Sequence, residues 1–223
     1  NLTVSHLNPF LGPFGNYHGQ WTQSSGLMIA GTHHTVRNCR IGATAGNGIV
    51  LFGTDHRVTG NFIHDVDYSG AHASGIYIAQ TPGNTPGTPV LPDRIEIDRN
   101  TLVAGGWGLI YTTDPDEPSR IHHNVVDGAG LLTRDVGGIR FVGHTVDNPV
   151  RTGPTRIDHN IVRNVVAALG NPIYFDFCDD YQVDHNLIYD CSGGININDG
   201  NNLSVTNNTM IGFQSGVGGV SRN

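Results

Sequence analysis

The sequence predicts an all-β solenoid, a parallel β-helix of about eight coils, and three observations carry that prediction. The first is a recurring motif: a β-branched residue, Asn three places on, and an aliphatic residue two places after that. It occurs at Val58-Asn61-Ile63, Ile97-Asn100-Leu102, Ile121-Asn124-Val126, Ile157-Asn160-Val162, Val183-Asn186-Ile188 and Val205-Asn208-Met210. The second is a motif that alternates with it, an aliphatic residue usually preceded by Gly. Its copies begin at Leu27, Ile49, Ile76, Leu109, Ile139, Ile173, Ile195 and Val217. The third is the spacing: where nothing is inserted the unit is about 22 residues, a solenoid length.

Each element of the unit has a physical reason. The Gly-aliphatic copy opens a short strand of period-two apolar spacing, which buries one face and leaves the other outside. The β-branched residue marks a second strand, and the aliphatic residue after Asn marks a third. Asn at one fixed place per unit suits a sharp corner in the left-handed region. Stacked coil on coil, such amides bond to one another in a ladder along the axis. An earlier copy, Val36 to Ile41, has Cys39 where the others have Asn. Rungs about 4.8 Å apart, roughly 40 Å in all, bury a continuous core that no single coil could build. No window sustains a 3.6-residue apolar pattern over three turns, so helices are nearly excluded. Residues 1–223 therefore read as one β-helix domain.

Composition narrows the function classes. The 31 Gly and 21 Asn supply residues that tolerate positive φ at many tight turns. No apolar run approaches bilayer length, so no membrane span is expected. All 12 basic residues are arginine and the net charge is −7, which speaks against a nucleic-acid partner, since phosphate tracking needs clustered positive charge. Cys39, Cys178 and Cys191 include no CxxC pair, so neither a zinc knuckle nor a disulfide scaffold is expected.

With these repeats the chain resembles right-handed parallel β-helix proteins of the pectate-lyase-like superfamily. More narrowly, it is similar to the right-handed β-helix region group of secreted carbohydrate-active enzymes. The strings "DVGGIRF" (135–141), "PIYFDF" (172–177) and "VDHNLIYD" (183–190) add to that likeness. The resemblance implies a right-handed coil of three strands and three turns, with a substrate groove along the exterior of the Gly-aliphatic strand. It also implies a carbohydrate substrate and a secreted or periplasmic location. Such enzymes usually carry a capping helix, whereas this chain opens and closes inside a coil. The expectation is a homo-oligomer, or capping segments in a longer parent polypeptide.

The candidate site lies where the copies differ. If Ile76, Leu109, Ile139, Ile173 and Ile195 point inward, the residues one place on point outward: Tyr77, Ile110, Arg140, Tyr174 and Asn196. Three places on, the row is Ala79, Thr112, Val142, Asp176 and Asn198. Aromatic rings with amides, an arginine and a carboxylate are what a sugar site needs. Insertions at 80–92, 113–118 and 142–154 leave from the same strand and project from one edge of the groove, bringing Asp114, Asp116, Glu117 and His144 toward it. Tyr77, Tyr174, Asn196, Asn198 and His144 are the candidate substrate-binding residues.

Glycosidic hydrolysis needs two carboxyl groups. Asp176 is the central candidate, with Asp135, Asp114 or Asp116 as partner and Arg140 one rung away to pair with it. The second reading is β-elimination of a uronide with Arg140 and Tyr174, and the third is a non-catalytic glycan-binding or tailspike-like β-helix. His123, His159 and His185 each precede a ladder Asn. Imidazoles one rung apart can converge on a metal, but no metal-motif spacing recurs, so stacked structural rings are expected. His64-Asp65 and His72, on the groove's other edge, are minor candidates. Asp179-Asp180 offers two carboxylates to calcium without a third oxygen ligand nearby, and no other cofactor is expected.

Overall fold

A computed structural model describes residues 2–5, 25–70, 72–79, 92–113, 117–143, 152–213 and 218–220. Its regular structure there is entirely β, in three parallel sheets of eight, eight and seven strands. Among the described residues no helix is long and apolar enough to cross a membrane. Sheet I holds Ser25–Thr32, Asn47–Thr54, Ser74–Ala79, Gly108–Thr113, Val136–Val142, Gly170–Asp176, Ile195–Asn198 and Gly218–Val220. Sheet II runs from Thr35–Arg37 through Arg57–Thr59, Glu96–Asp98, Arg120–His122, Thr155–Asp158 and Tyr181–Asp184 to Leu203–Thr206. Sheet III runs from Thr3–Ser5 through Arg40–Thr44, Phe62–Val66, Thr101–Gly105, Val125–Ala129, Ile161–Arg163 and Leu187–Cys191 to Thr209–Phe213.

The chain visits sheets I, II and III in turn, and each strand pairs with its counterpart in the next coil. This is the right-handed parallel β-helix, the hand that crossovers between right-twisted parallel strands take. Seven complete coils are described, with one further strand before and one after them, against the eight expected. Val217 lies outside the described residues.

The core is built from the residues the repeats single out. Val58, Ile97, Ile121, Ile157 and Val183 line sheet II, and Ile41, Ile63, Leu102, Val126, Val162 and Ile188 line sheet III; all are buried. On the inner side of sheet I, Phe141 and Phe175 stack with centroids 5.4 Å apart, and Tyr181 packs on both at 4.8 and 4.9 Å.

Between sheets II and III the asparagines form the expected ladder. Nδ2 of Asn61, Asn100, Asn124, Asn160 and Asn186 donates to Oδ1 of the next Asn at 2.9–3.0 Å. Each amide also donates back across the coil, as Asn124 does to Ile97 O at 2.9 Å. Cys39 stands at the top of the ladder, its backbone N–H donating to Asn61 Oδ1. None of Cys39, Cys178 and Cys191 is in a disulfide.

Two expectations need correction. The left-handed corner residue is the one before each ladder Asn: Asn38, Gly60, Arg99, His123, His159, His185 and Asn207 have φ near +54 to +65°. The ladder amides themselves point into the coil, so the corner falls to their neighbours. Sheet I also slips by one against the sequence reading. Ile76 pairs with Ile110, and Ile110 with Ile139. Leu109 fills the place that Gly48 and Gly75 hold elsewhere. Those glycines face the core, where a Cβ on Gly75 would stand 3.0 Å from Leu102 Cδ2. Leu109 fits because Gly105, beside its Cδ2, leaves space. The outward row therefore contains Tyr111, not Ile110, and Thr112 faces the core.

Candidate functional site on the exterior of sheet I

With that register the outward row reads Met28, Val50, Tyr77, Tyr111, Arg140, Tyr174 and Asn196. Two places on it reads Ala30, Phe52, Ala79, Thr113, Val142, Asp176 and Asn198. A strand's alternation sends both rows away from the coil axis. The centre of the first row is nevertheless covered: Tyr77, Tyr111, Arg140 and Tyr174 are buried.

Arg140 organises the site. Its Nη2 donates to Asp176 Oδ2 at 2.9 Å, and its Nη1 donates to the Asp135 backbone carbonyl at 2.8 Å with Asp135 Oδ2 at 3.4 Å. Asn198 Nδ2 donates to the other Asp176 oxygen at 2.7 Å. The guanidinium lies between two rings, its Cζ 4.5 Å from the Tyr174 centroid and 5.4 Å from that of Trp107. Its Nε is buried and meets no hydrogen-bond acceptor among the described residues. Burial works against the Arg140 charge, but Asp135 and Asp176 outweigh it and raise its pKa.

An aromatic wall adjoins this network. Trp107 leans on Tyr111 at 5.1 Å, Tyr111 on Tyr77 at 5.0 Å, and His72 stacks on Trp107 at 5.2 Å and 13°. Trp107 Nε1 donates to the same Asp135 carbonyl that Arg140 uses, tying the wall to the arginine. Burial pushes the Tyr77 and Tyr111 hydroxyls well above their ordinary range. Tyr174 is raised too, by burial and then by the Asp176 charge. The tyrosines are therefore hydrogen-bond donors at neutral pH, not bases. His72 is lowered by burial and by the Arg140 charge, with Asp135 opposing.

The structure thus gathers Asp176, Asp135, Arg140, Tyr174 and Asn198 around one guanidinium. Tyr77 joins through Tyr111, and Asn196 sits one rung beyond Tyr174. Because Asp135 and Asp176 share Arg140, their contacting oxygens are at most about 9 Å apart. Asp114, Asp116 and His144 lie outside the described residues. Sequence reasoning missed Tyr111, through the one-place slip, and Trp107, which sits in a turn that repeat matching ignores. His64 pairs with Asp65 at 2.7 Å, apart from this cluster.

Two other places concern metals. Asp179 Oδ1 accepts from Asn201 N–H and Nδ2, and Asp180 Oδ1 from Asn202 Nδ2, so both carboxylates tie into the next coil's turn. On sheet II, Glu96, Asp98 and His122 bring ligand atoms within 4.8 Å of one another. Arg57 and Arg99 already pair with Asp98, and Arg57 with Glu96, which counters the attraction for a cation. No protein-family model, curated protein or solved structure matches the chain.

Proposed function

We propose that the chain is an extracytoplasmic carbohydrate-active β-helix that hydrolyses glycosidic bonds, with Asp176 as base or nucleophile and Asp135 as its acid partner. One observation carries this reading: two carboxylates share one guanidinium on the exterior of sheet I, beside a wall of four rings. Hydrolysis asks for such a pair, one carboxyl for the leaving oxygen and one for the anomeric carbon or its water. Arg140 and Asn198 each hold one Asp176 oxygen, which fixes the orientation that a reacting carboxylate needs. Asp135 is the more exposed carboxyl and makes the longer contact to Arg140. The buried rings hold Arg140 in place, and the partly exposed amides of Asn196 and Asn198 offer polar partners to a sugar.

Elimination fits less well. It needs a positive charge free to meet a uronate, and two aspartates already match Arg140. It also needs a base, and the raised tyrosines are poor ones.

The test is a glycan panel read for reducing ends and for the ultraviolet absorbance of an unsaturated product. Reducing ends without unsaturation, falling by about 10²-fold or more in Asp176→Asn with binding retained, are the expected result. Unsaturation abolished by Arg140→Ala moves the assignment to a lyase. Binding without turnover across the panel leaves a glycan-binding module and removes the enzyme.

A further inference from the structure

The turns that lead from sheet III into sheet I carry apolar surface that the core does not use. Leu131, Leu132, Val166 and Leu169 are 50%, 58%, 57% and 74% exposed. They belong to two successive turns, residues 130–135 and 164–169, which lie rung on rung. Val166 N–H donates to Ala129 O and Asp135 N–H to Ala168 O, both at 3.3 Å. A Cβ on Gly130 would stand 2.5 Å from Ala167 Cβ, so the two turns are in direct contact there. The four side chains therefore share one edge of sheet I.

Leu169 is the informative position. Val136 pairs with Gly170 and Arg140 with Tyr174, so Leu169 holds in its coil the place that Asp135 holds in the coil before. His72 holds the same place before Ile76, each of the three standing four positions ahead of its inward isoleucine. All are left-handed, with φ of +55° at His72, +58° at Asp135 and +60° at Leu169. That conformation suits Gly and Asn, not a branched apolar side chain, and exposure to water does not suit Leu either. In the other two coils the place goes to polar groups of the candidate site. Backbone strain and exposed apolar surface at one residue serve neither the coil nor its solubility, and such strain gathers where ligands are held.

We infer that Leu169, with Leu131, Leu132 and Val166, forms the leaving-group subsite and takes an apolar aglycone, an alkyl or aryl group. The inference rests on the hydrolase reading, which makes Asp135 the acid. In that reaction the bond between the anomeric carbon and the leaving oxygen breaks, and that oxygen takes the Asp135 proton. Water supplies the hydroxyl that replaces it, and its other proton restores the carboxyl pair. The departing group is therefore held on the Asp135 side of the site. Asp135 and Leu169 directly precede the strands Val136–Val142 and Gly170–Asp176, whereas Asp176 and Asn198 end theirs. The sugar lies toward the carboxylate and amides at the strand ends, and its aglycone lies over the apolar turns at the strand starts.

Hexyl and methyl glycosides of a panel of common sugars test this, because the two alcohols leave with nearly equal ease and differ only in the apolar chain. Reducing sugar released by the intact chain gives kcat/KM for each pair, and ligand-observed NMR on Asp176→Asn reads binding without turnover. Leu169→Asn keeps the left-handed turn, since Asn38 and Asn207 adopt that conformation elsewhere. Leu132→Gln is a second variant, and Ile211→Thr removes an exposed apolar side chain from the outside of sheet III as the control. Circular dichroism confirms each fold. A hexyl preference of about tenfold or more is expected, falling about fivefold or more in Leu169→Asn and in Leu132→Gln and unchanged in Ile211→Thr. Equal rates on both glycosides, or a preference that survives either substitution, overturn the subsite and leave the hydrolase. Tighter binding of hexyl glycosides that Leu169→Asn abolishes, with no turnover of any member, keeps the subsite and removes the hydrolase. Neither turnover nor a binding preference overturns both.

Discussion

Truncation of Asn124 to Ala measures what the ladder contributes. Asn124 Oδ1 accepts from Asn100 N–H and Nδ2, both at 3.0 Å. Its Nδ2 donates to Ile97 O, His122 O and Asn160 Oδ1 at 2.9–3.0 Å. The side chain is buried, so water does not replace these bonds readily. The Asn100 N–H is stranded outright, at a cost of about 1–3 kcal/mol, and the remaining bonds add about 1 kcal/mol each where no substitute forms. A loss of about 3–5 kcal/mol follows, which for a chain of this size lowers the melting temperature by about 6–20 °C. Asn208 is the control, because it makes equivalent bonds to Asn186, Val183 O and Thr206 O but is only half-buried. Its truncation costs about 1 kcal/mol, with solvent taking up the freed groups. Melts followed by far-ultraviolet circular dichroism, with urea titrations at fixed temperature, read both variants. If Asn124→Ala costs under about 1 kcal/mol, or no more than Asn208→Ala, the ladder is not a stabilising column.

Two further outcomes follow from particular contacts. A Cβ at Gly106 would stand 2.0 Å from the Asp67 carbonyl oxygen, so Gly106→Ala must move backbone. A loss of about 1–3 kcal/mol or more is expected, with a changed near-ultraviolet spectrum as the adjacent Trp107 shifts; an unchanged spectrum and melt refute it. Acid destabilises in two windows. His72 titrates below its ordinary 6.5 because burial and Arg140 disfavour its charged form, so the unfolded chain takes up that proton first. Its contribution is complete above 6.5 and is lost as the pH falls below that. For Asp158, burial alone would raise the pKa, but the bonds from Arg120 and His159 bring it from 3.8 to about 2. Its contribution is present above 3.8 and lost as the pH falls through about 2. A melting temperature that stays flat from pH 7 to 5 counts against the His72 assignment.

The coil was legible because its determinants are local and repeated. One Asn per unit, flanked by β-branched and aliphatic residues at fixed offsets, suffices to place sheets II and III. Sheet I was legible except where Leu109 stands in a glycine's place. There a single residue shifted the outward row, exchanging Tyr111 for Ile110. Asp176, Arg140 and Asn198 were found because their coils follow the repeat without slippage. Trp107 and its contact with Arg140 were not, because turn geometry and the path of a side chain across rungs are not written in spacing. The column of His123, His159 and His185 was visible as a column, and the rings do stack, with centroids 5.0 and 5.1 Å apart.

The ladder also tolerates unequal coils. Successive amides bond across sequence gaps of 39, 24, 36, 26 and 22 residues with no change of length beyond 0.1 Å. Chain length and axial register are therefore uncoupled. A segment introduced where sheet I hands over to sheet II enlarges one turn and leaves every rung in place. A change inside a strand, or between a corner residue and its amide, would throw the stack out of step. The scaffold can acquire new surface by lengthening single turns, and foreign peptides grafted there should be displayed side by side at the rung spacing.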